Sequence, residues 1–328
     1  MSESGHRPLV TVALVAYNQQ RFIGEAVQSA LAQTYSPLEI ILSDDCSQDR
    51  SFEIMRRLAE AYRGPHRVVL NRNETNRGFI GNLNHTWELA KGEFIVTQAG
   101  DDVSLPRRAE LLVKAWREPS PVDLVVSDVS VIDEQGREIR RGWPDPVATP
   151  LTLEEAVSAG RCYALGCSSG YSRQLITTFG YIEPTVIQED WVLAFRALVE
   201  RGIRVVDEPL LKYRKHGNNV WFGQRIDKKA PTRPQCRRFA SNRLGILREW
   251  LKAWDRSGRP SDHMRRHLVA LERQWRYDLA CYESGRIGAL WLALRGLREG
   301  LPLRAAGGLA KRHVLRWGSL GGPILSHA

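Results

Sequence analysis

The first third of the chain alternates between short apolar runs and segments with a helical spacing of apolar residues. The run from Leu9 to Ala16 is apolar and rich in β-favouring residues, as expected of a strand that is buried on both faces. The apolar residues that share one side of the following helix are Phe22, Ile23, Ala26, Val27, Ala30 and Leu31. Further strands are predicted at 38–43, at 67–70 and from Phe94 to the pair Asp101 and Asp102, each preceded by a helical segment. This alternation predicts an α/β fold with a mainly parallel, doubly wound sheet.

The pattern changes towards the end of the chain. A strand at 122–133, an irregular Pro-rich loop at 142–150 and a small, Gly-rich segment at 164–172 precede a helix at 187–198 and a final strand at 204–214. After about Phe222, helical segments with interleaved Arg and Trp follow, and five of the ten tryptophans lie there. We therefore expect two domains, an α/β domain at 1–224 and a basic, Trp-rich helical region at 225–328.

Basic charge is concentrated in the last third of the chain. Residues 226–328 hold 21 Lys and Arg against 8 Asp and Glu, a net charge of +13, whereas residues 1–225 carry −3. This asymmetry predicts an anionic partner, such as lipid head groups, a pyrophosphate-bearing acceptor or nucleic acid. The alternative is a helical bundle with tryptophans inside and arginines in solvent. Since no nucleic-acid recognition motif appears, we expect no nucleic-acid partner.

Cysteine usage and hydropathy bear on localisation. The five cysteines are scattered and form no CxxC pair, so neither a disulfide framework nor a zinc site is predicted. The N-terminal residues lack the apolar core of a signal peptide, and no run of 18 apolar residues is present. We therefore expect a cytoplasmic protein, with the basic helices as a peripheral foot on an anionic membrane surface.

Polar side chains follow each of the first four predicted strands. The groups are Tyr17 and Asn18, the run D-D-C-S-Q-D at 44–49, the run N-R-N-E-T-N at 71–76, and the pair Asp101 and Asp102. Because ligands bind beyond the carboxyl ends of parallel strands, these groups predict a ligand cleft. Two adjacent carboxylates repel, so Asp101 and Asp102 require a divalent cation, an arginine or solvent nearby.

Six short motifs occur in the order V-A-Y-N, D-D-C-S-Q-D, N-R-G with Asn84 further on, G-D-D-V-S-L-P, Q-E-D-W and Y-R-K-H-G-N-N. With this order and spacing, residues 8–220 resemble the inverting glycosyltransferases of family 2, which have a Rossmann-like GT-A type fold. The resemblance implies that a sugar moves from a nucleotide-sugar donor to a hydroxyl of a glycan or lipid-linked acceptor. It also implies a place in bacterial cell-wall or polysaccharide biosynthesis.

The resemblance assigns the chemistry to the acidic residues. Asp190 would be the general base that deprotonates the acceptor hydroxyl, with Glu189 positioning it or contacting the acceptor. Asp101, five residues before Pro106, would bind Mg²⁺ or Mn²⁺, which offsets the charge of the departing diphosphate. His216 would complete the metal shell or contact the diphosphate. Ala99 stands where the family usually has another acidic residue, which leaves strict metal dependence open.

The resemblance also assigns a donor-binding set. It comprises Ala16, Tyr17, Asn18, Asp44, Asp45, Asn76, Gly78, Asn84, Asp102 and Arg214. Asp45 would accept a hydrogen bond from the base edge, and Asp44 would orient that loop. Asp102 would bind the cation through water or hold its loop, and Arg214, with Lys215, would offer positive charge to the phosphates. Leu83 replaces an arginine that the family often has before Asn84.

Two other functions compete with this hypothesis. A nucleotide-sugar-binding protein without catalysis is compatible with Ala99, but would have little reason to keep both Asp101 and Asp190. A nucleotidyltransferase is disfavoured because the segment after the first strand reads A-Y-N-Q-Q-R-F, without the glycines of a phosphate-binding loop.

Overall fold

The structure is a computed structural model that describes residues 7–149, 152–217, 219, 232–284 and 286–298. The chain divides into two compact units, Met1–His216 and Gly217–Ala328, called here the N-terminal and the C-terminal unit. The predicted domain boundary between residues 224 and 225 lies outside the described residues.

The described part of the N-terminal unit contains strands, helices and one 3₁₀ turn at Gly166–Ser168. The strands are β1 (Val10–Ala16), β2 (Leu38–Asp44), β3 (Arg67–Arg72), β4 (Phe94–Ala99), β5 (Val103–Ser104), β6 (Leu124–Ile132), β7 (Glu138–Arg141), β8 (Ala148–Thr149), β9 (Tyr163–Ala164), β10 (Ser169–Ser172) and β11 (Ile203–Arg214). The helices are α1 (Ile23–Leu31), α2 (Ser51–Ala61), α3 (Gly78–Leu89), α4 (Arg108–Arg117), α5 (Leu153–Ala159), α6 (Arg173–Phe179) and α7 (Glu189–Val199).

The strands form one large mixed sheet in the order β3-β2-β1-β4-β10-β6-β11-β5, with β7 paired to β6. Strands β3, β2, β1 and β4 are parallel, and β6 is parallel to β11. Strand β10 lies antiparallel between β4 and β6. The predicted α/β fold is confirmed, and the parallel half of the sheet is the part with alternating strands and helices.

The core of the parallel half follows directly from the apolar pattern. All residues of β1 and β2 are buried, as continuous apolar strands covered on both faces should be. The predicted inner side of α1 packs on them, with Ile23, Ala26 and Ala30 fully buried. Glu39 of β2 is also buried, and its carboxylate accepts hydrogen bonds from the Thr11 hydroxyl and the Lys91 amide, as a buried charge requires. This packing holds β1 and β2 side by side, so their carboxyl ends lie at the same edge of the sheet.

The segment 164–172, expected to be merely small and Gly-rich, contains β9, the 3₁₀ turn and β10. An ideal Cβ on Gly170 would lie 2.6 Å from ring atoms of Phe94 on the neighbouring strand. The small residues of β10 therefore reflect close packing against an aromatic ring, and they hide the apolar alternation by which strands are recognised. The loop at 142–150 is likewise not wholly irregular, since β8 pairs with β9 in a two-stranded ribbon.

The C-terminal unit contains α8 (Arg233–Ser257), α9 (Asp262–Glu283) and α10 (Arg286–Arg298) in its described part. Helix α8 begins with a capping box of Thr232 and Gln235, and it ends at Gly258, whose φ of 65° is the left-handed value that favours glycine. Trp250 and Trp254 are buried, as the helical-bundle alternative predicts, whereas Trp291 is exposed. Among the described residues, no helix combines the length and the apolar character needed to cross a membrane.

Candidate functional site

The carboxyl end of β1 is flanked on both sides by predicted site segments. The Asp45 amide, just after β2, donates to the Ala16 carbonyl at 2.9 Å, and the Gly100 amide, just after β4, donates to the Val15 carbonyl at 3.0 Å. Asp45 and Asp101 are thus placed on opposite sides of the end of β1. This is the arrangement expected where parallel strands end at one edge.

The loops after β1 and β2 are bonded to each other. The Asn18 amide donates to Ser47 Oγ at 2.9 Å, and Asn18 Oδ1 accepts from the Gln48 amide at 2.8 Å. Asn18 and Cys46 have φ values of 52° and 60°, a region that non-glycine residues rarely occupy. Tyr17, between the buried Ala16 and this bonded loop, is 46% exposed, so its ring is accessible to a ligand.

The two aspartates at the end of β2, Asp44 and Asp45, are both buried but have different partners. Asp45 Oδ1 accepts from Asn73 Nδ2 at 2.8 Å and from the Arg77 amide at 2.9 Å, which ties the ends of β2 and β3 together. Asp44 Oδ2 accepts from the Ser47 amide at 2.9 Å, as expected of a residue that orients this loop. The other Asp44 oxygen is buried without a hydrogen-bond partner in the described part of the chain.

Three further residues of the predicted donor set lie around α3. Asn76 Oδ1 accepts from the Gly78 amide at 3.0 Å, and Gly78, with φ 74°, begins the helix. This is turn chemistry, and it leaves Asn76 exposed. Asn84 donates to the Ile182 carbonyl at 2.7 Å and accepts from the Ile182 amide at 3.1 Å. The Asn84 amide therefore holds the loop after α6, and its predicted contact with the nucleotide stays a prediction.

The predicted metal ligands meet because the chain turns back after β4. Strand β5 pairs antiparallel with β11, so the turn at Gly100–Asp102 lies beside the end of β11. Asp101 Oδ2 is hydrogen-bonded to His216 Nε2 at 2.8 Å, and Asp102 Oδ1 accepts from the Arg214 amide at 2.9 Å. The fold thus brings His216 to Asp101 and Asp102, although His216 lies more than a hundred residues further along the chain. We call Asp101 and Asp102 the β4 acid pair.

Arg214 makes its contacts inside the protein, and its predicted phosphate contact stays a prediction. Its side chain is almost fully buried, donating to the Asp101 and Asp133 carbonyls and forming an ion pair with Glu25. Its guanidinium also lies 5.0 Å from the centre of the Phe22 ring. Arg214 therefore holds the turn of the β4 acid pair in place. Lys215 is exposed.

A buried arginine that was not predicted also supports this pair. Arg108 donates to the Thr97 carbonyl at 2.8 Å, to the Cys167 carbonyl at 2.8 Å and to Ser104 Oγ at 3.0 Å. Burial lowers the pKa of Arg108 to about 10, so it remains protonated at neutral pH. Burial, followed by the charge of Asp101, raises the pKa of Asp102 well above its ordinary value, against the opposing effect of the arginines.

Glu189 and Asp190 form a second pair, the α7 acid pair, in the first turn of α7. Both are partly buried, and an ideal Cβ on Gly166 would lie 2.6 Å from Glu189 Oε1. The 3₁₀ turn therefore passes close to the Glu189 carboxyl group. Burial, followed by the charge of Asp190, raises the pKa of Glu189 well above its ordinary value. Burial raises the pKa of Asp190 to about 7, which suits a general base near neutral pH.

Cys167 connects the two acid pairs. Burial is the main cause of its raised pKa, and the charges of Asp102, Asp101 and Glu189 raise the pKa further. Carboxylates from both pairs are therefore close enough to the Cys167 thiol to act on it electrostatically. The end of β4 and the start of α7, far apart in sequence, face one region of the N-terminal unit.

Few side chains at this site could coordinate a cation. In the described ranges, no three His, Cys, Asp or Glu side chains converge as a metal site would require. Asp101 and His216 nevertheless supply a carboxylate oxygen and an imidazole nitrogen, and Asp102 Oδ2 is buried without a hydrogen-bond partner among the described atoms. Since Mg²⁺ usually takes only one or two carboxylates together with substrate phosphates, these residues fit a cation shared with a diphosphate.

Phe22 and Arg108 are the supporting residues that sequence reasoning missed. The Phe22 ring lies 4.7 Å from the centre of the His216 ring and also contacts Arg214. It therefore orients Arg214, the last residue of β11, and His216, which lies just beyond that strand. In the sequence, Phe22 looked like an ordinary core residue of α1. Arg108 had no signal, because arginine is rarely buried and only the fold shows what it bonds.

Comparison with known proteins places these motifs in a family. Residues 11–177 match the family described as Glycosyl transferase family 2. The match contains Asp45 and the β4 acid pair, whereas Asp190 and His216 lie beyond it. Over 142 residues the chain is 35% identical to EpsE of Bacillus subtilis, provisionally named a glycosyltransferase, covering 42% of this chain and 50% of EpsE. An uncharacterized protein of Mycobacterium bovis, Mb1547, is 27% identical over 222 residues, 67% of this chain and 62% of Mb1547. The chain thus spans half to three fifths of these curated relatives.

Solved structures show the same fold at low identity. The structure of S. aureus TarS, residues 1–349, in complex with UDP has a TM-score of 0.56 and 18% identity, covering 93% of this chain and 80% of that one. The mannosyltransferase PcManGT of Pyrobaculum calidifontis, in complex with GDP-Man and Mn²⁺, has a TM-score of 0.51 and 20% identity, covering 94% of this chain and 80% of that one. The GT-A type fold is thereby confirmed, and the match over half of the chain shows that this protein belongs to glycosyl transferase family 2.

Proposed function

We propose that the protein is an inverting glycosyltransferase that moves a sugar from a nucleotide-sugar donor to a hydroxyl of a glycan or lipid-linked acceptor. The observation that carries the proposal is that the 3₁₀ turn at Gly166–Ser168 contacts β4 and β11 and also passes beside Glu189, so it lies between the two acid pairs. One pair lies beside an imidazole and arginines, and the other contains a carboxyl that titrates near neutrality. Diphosphate binding and proton removal need these two different environments.

The donor belongs at the end of β1. Tyr17 offers an exposed ring, and the loop of Asn18 and Asp45 is held rigid by hydrogen bonds on both sides. A rigid, partly apolar shelf suits a nucleoside. Two solved relatives of this fold are named as complexes with UDP and with GDP-Man, which supports a nucleotide-sugar as the donor class.

Asp101 and His216 would hold a divalent cation, Mg²⁺ or Mn²⁺, between the protein and the donor diphosphate. When bound, such an ion neutralises the charge that develops on the departing diphosphate. Arg214 and Phe22 keep the two ligands in place, and Asp102 anchors the turn through the Arg214 amide.

Asp190 would take the proton of the acceptor hydroxyl. A general base must be unprotonated to act, and its pKa should lie near the working pH. The pKa of about 7 meets both conditions, and Glu189, whose pKa is also raised by burial, lies next to Asp190, where it would position the base or contact the acceptor. A binding protein without catalysis would gain nothing from a carboxyl with this pKa.

The test begins with donor binding. Calorimetry with a panel of UDP- and GDP-sugars, with and without Mn²⁺, is expected to identify at least one donor whose affinity increases with the cation. If no nucleotide binds under either condition, the proposal is wrong.

A second step tests catalysis. Asp190→Asn should lower the turnover of the identified donor by about 10²–10⁴-fold while its dissociation constant stays the same. Asp207→Asn, which removes an exposed carboxylate from β11, is the matched control and should keep full turnover. Full turnover in Asp190→Asn would leave the protein a glycosyltransferase with a different base, and normal donor binding without turnover in the unmodified protein would favour the binding-protein alternative.

A further inference from the structure

Helix α10 packs on α9 through small residues and partly through Leu292 and Leu297, and it leaves three large apolar side chains exposed. Its small residues Ala289 and Ala293 are buried against Tyr277 and Cys281 of α9. Its large apolar residues Leu290, Trp291 and Leu294 are 44%, 58% and 59% exposed. A globular helix normally buries large apolar side chains and exposes small or polar ones. We call Leu290, Trp291 and Leu294 the α10 ridge.

The ridge is one continuous surface. Positions 290, 291 and 294 are separated by one, three and four residues, so their side chains lie next to each other on one face of the helix. The other large apolar side chains exposed in the described part of the chain belong to several different elements of the N-terminal unit: Tyr17, Phe79, Ile139, Tyr181 and Val205. Scattered apolar residues need no explanation, whereas a contiguous ridge indicates a contact surface.

Positive charge borders the ridge. Helix α10 carries Arg286, Arg295 and Arg298 and no acidic residue, and Arg295 and Arg298 are exposed. The Arg295 guanidinium lies 5.5 Å from the centre of the Trp291 ring. A tryptophan and leucines beside arginines are the composition of helices that lie in the interface of an anionic bilayer, with the guanidinium groups at head-group level.

The charge around the α10 ridge indicates which kind of partner could cover it. A second copy of the chain would bring two arginine-bordered ridges together, within regions that each carry +13, and like charges oppose such a contact. Residues 299–328 are also basic, with Arg304, Lys311, Arg312 and Arg316 against Glu299. Only an anionic surface complements both the apolar ridge and its border.

We propose that α10 is a membrane-interface helix that docks the C-terminal unit on anionic phospholipid bilayers. The ridge enters the boundary between head groups and acyl chains, and Arg295 and Arg298 contact lipid phosphates. Docking requires neither the donor nor the acid pairs, so its test is independent of the proposed function.

The test is co-sedimentation of the full-length protein with two kinds of vesicle, phosphatidylcholine alone and equal parts phosphatidylcholine and phosphatidylglycerol. Binding is expected with the anionic vesicles only. Leu290→Gln/Leu294→Gln should weaken it about tenfold or more, because two exposed apolar anchors are lost. Arg295→Gln/Arg298→Gln should weaken it about thirtyfold and reduce its salt dependence, at about 1 kcal/mol per arginine.

The control is Ile139→Gln, which removes an exposed apolar side chain from β7 and should bind as the unmodified protein does. All changed positions are exposed, so circular dichroism should show folded variants. Fluorescence quenching by brominated phosphatidylglycerol, compared with Trp291→Phe, reports whether Trp291 itself reaches the acyl chains.

Three results would overturn the proposal. Equal binding to both vesicle types would exclude recognition of anionic lipid. Unchanged binding of Leu290→Gln/Leu294→Gln would exclude the ridge. A dimer in light scattering that this double variant converts to a monomer, together with absent lipid binding, would make the ridge a contact between two copies.

Discussion

The two acid pairs of the N-terminal unit consist of nearly the same residues in opposite surroundings. The β4 acid pair lies against Arg214, Arg108 and His216, and its turn is fixed by hydrogen bonds from β11. The α7 acid pair forms no ion pair with any described residue, and burial raises both of its pKa values. Burial also raises the pKa of Asp102, but the β4 acid pair has positive groups beside it, whereas the α7 acid pair has no ion-pair partner among the described residues.

The difference shows how one residue type supports two kinds of chemistry. A carboxylate that lies beside an imidazole can share a cation with phosphate oxygens. A carboxyl held without a counter-charge titrates close to neutral pH and can therefore accept a proton. We expect substitutions in the β4 acid pair to weaken cation binding and substitutions in the α7 acid pair to impair proton removal, which makes the comparison testable.

The largest effect should separate cation binding from proton removal. Asp101→Asn should weaken Mn²⁺ binding in the presence of a nucleoside diphosphate and lower turnover about 100-fold or more, because a charged ligand is lost. Asp190→Asn should lower turnover comparably but leave Mn²⁺ affinity unchanged. Calorimetric titration of Mn²⁺ into both variants measures the difference. Equal losses of Mn²⁺ affinity would mean that the pairs do not have separate roles.

The next effect concerns the support of the β4 acid pair. Arg108→Met should lower the free energy of unfolding by about 3 kcal/mol, because the Thr97 and Cys167 carbonyls lose their donor inside the protein. Urea unfolding measures it. The control is Arg107→Met, whose exposed side chain pairs only with the exposed Glu110 and should change stability by less than about 1 kcal/mol. Equal losses in both variants would exclude a supporting role for Arg108.

The positions of several acidic residues of the site could be predicted from the sequence, because strand ends depend on the pattern of neighbouring residues. The ends of β1, β2 and β4 are fixed by apolar runs, so the sequence predicts that Asp45 and Asp101 reach one edge of the sheet. The same reasoning did not predict β10, because Gly170 has no side chain where Phe94 packs. Strand patterns fail where close packing requires small residues.

The supporting contacts could not be predicted, because they depend on long-range geometry. Arg214 looked like a phosphate ligand in a basic motif, yet the pairing of β5 with β11 buries it behind the β4 acid pair. Likewise, the sequence predicted that Asp190 lies in the first turn of a helix, but it gave no means of predicting the pKa of Asp190. That pKa depends on how deeply the first turn of α7 is buried. Burial is a property of the whole fold.

The pH dependence of turnover should report the α7 acid pair. Below pH about 7, turnover should fall about tenfold per unit, because Asp190 becomes protonated and can no longer accept a proton. Glu189→Gln should leave this inflection in place, since burial, and not the charge of Glu189, raises the pKa of Asp190. Stopped assays across the pH range measure both. A shift of about one unit or more in the variant would show that Glu189 is charged there.

The smallest effect is on stability. The pKa of Asp190 is raised from 3.8 to about 7 in the folded protein, so between these values the folded state binds a proton that the unfolded state has lost. Stability therefore falls as pH rises through this window, and the cost is complete above it. Asp190→Asn removes the cost, so its advantage over the unmodified protein should grow from pH 4 to pH 7 and then level off.

Partial exposure reduces the size of this advantage to about 1 kcal/mol, or about 3 °C in melting temperature at high pH. Calorimetric scans at several pH values measure it, with Asp207→Asn as the exposed control. An advantage that is the same at every pH would mean that Asp190 is not desolvated, and the contrast between the two acid pairs would then disappear. An advantage that grows with pH, in a variant that has lost turnover, would show that the fold tolerates a buried charge at this position because catalysis requires it.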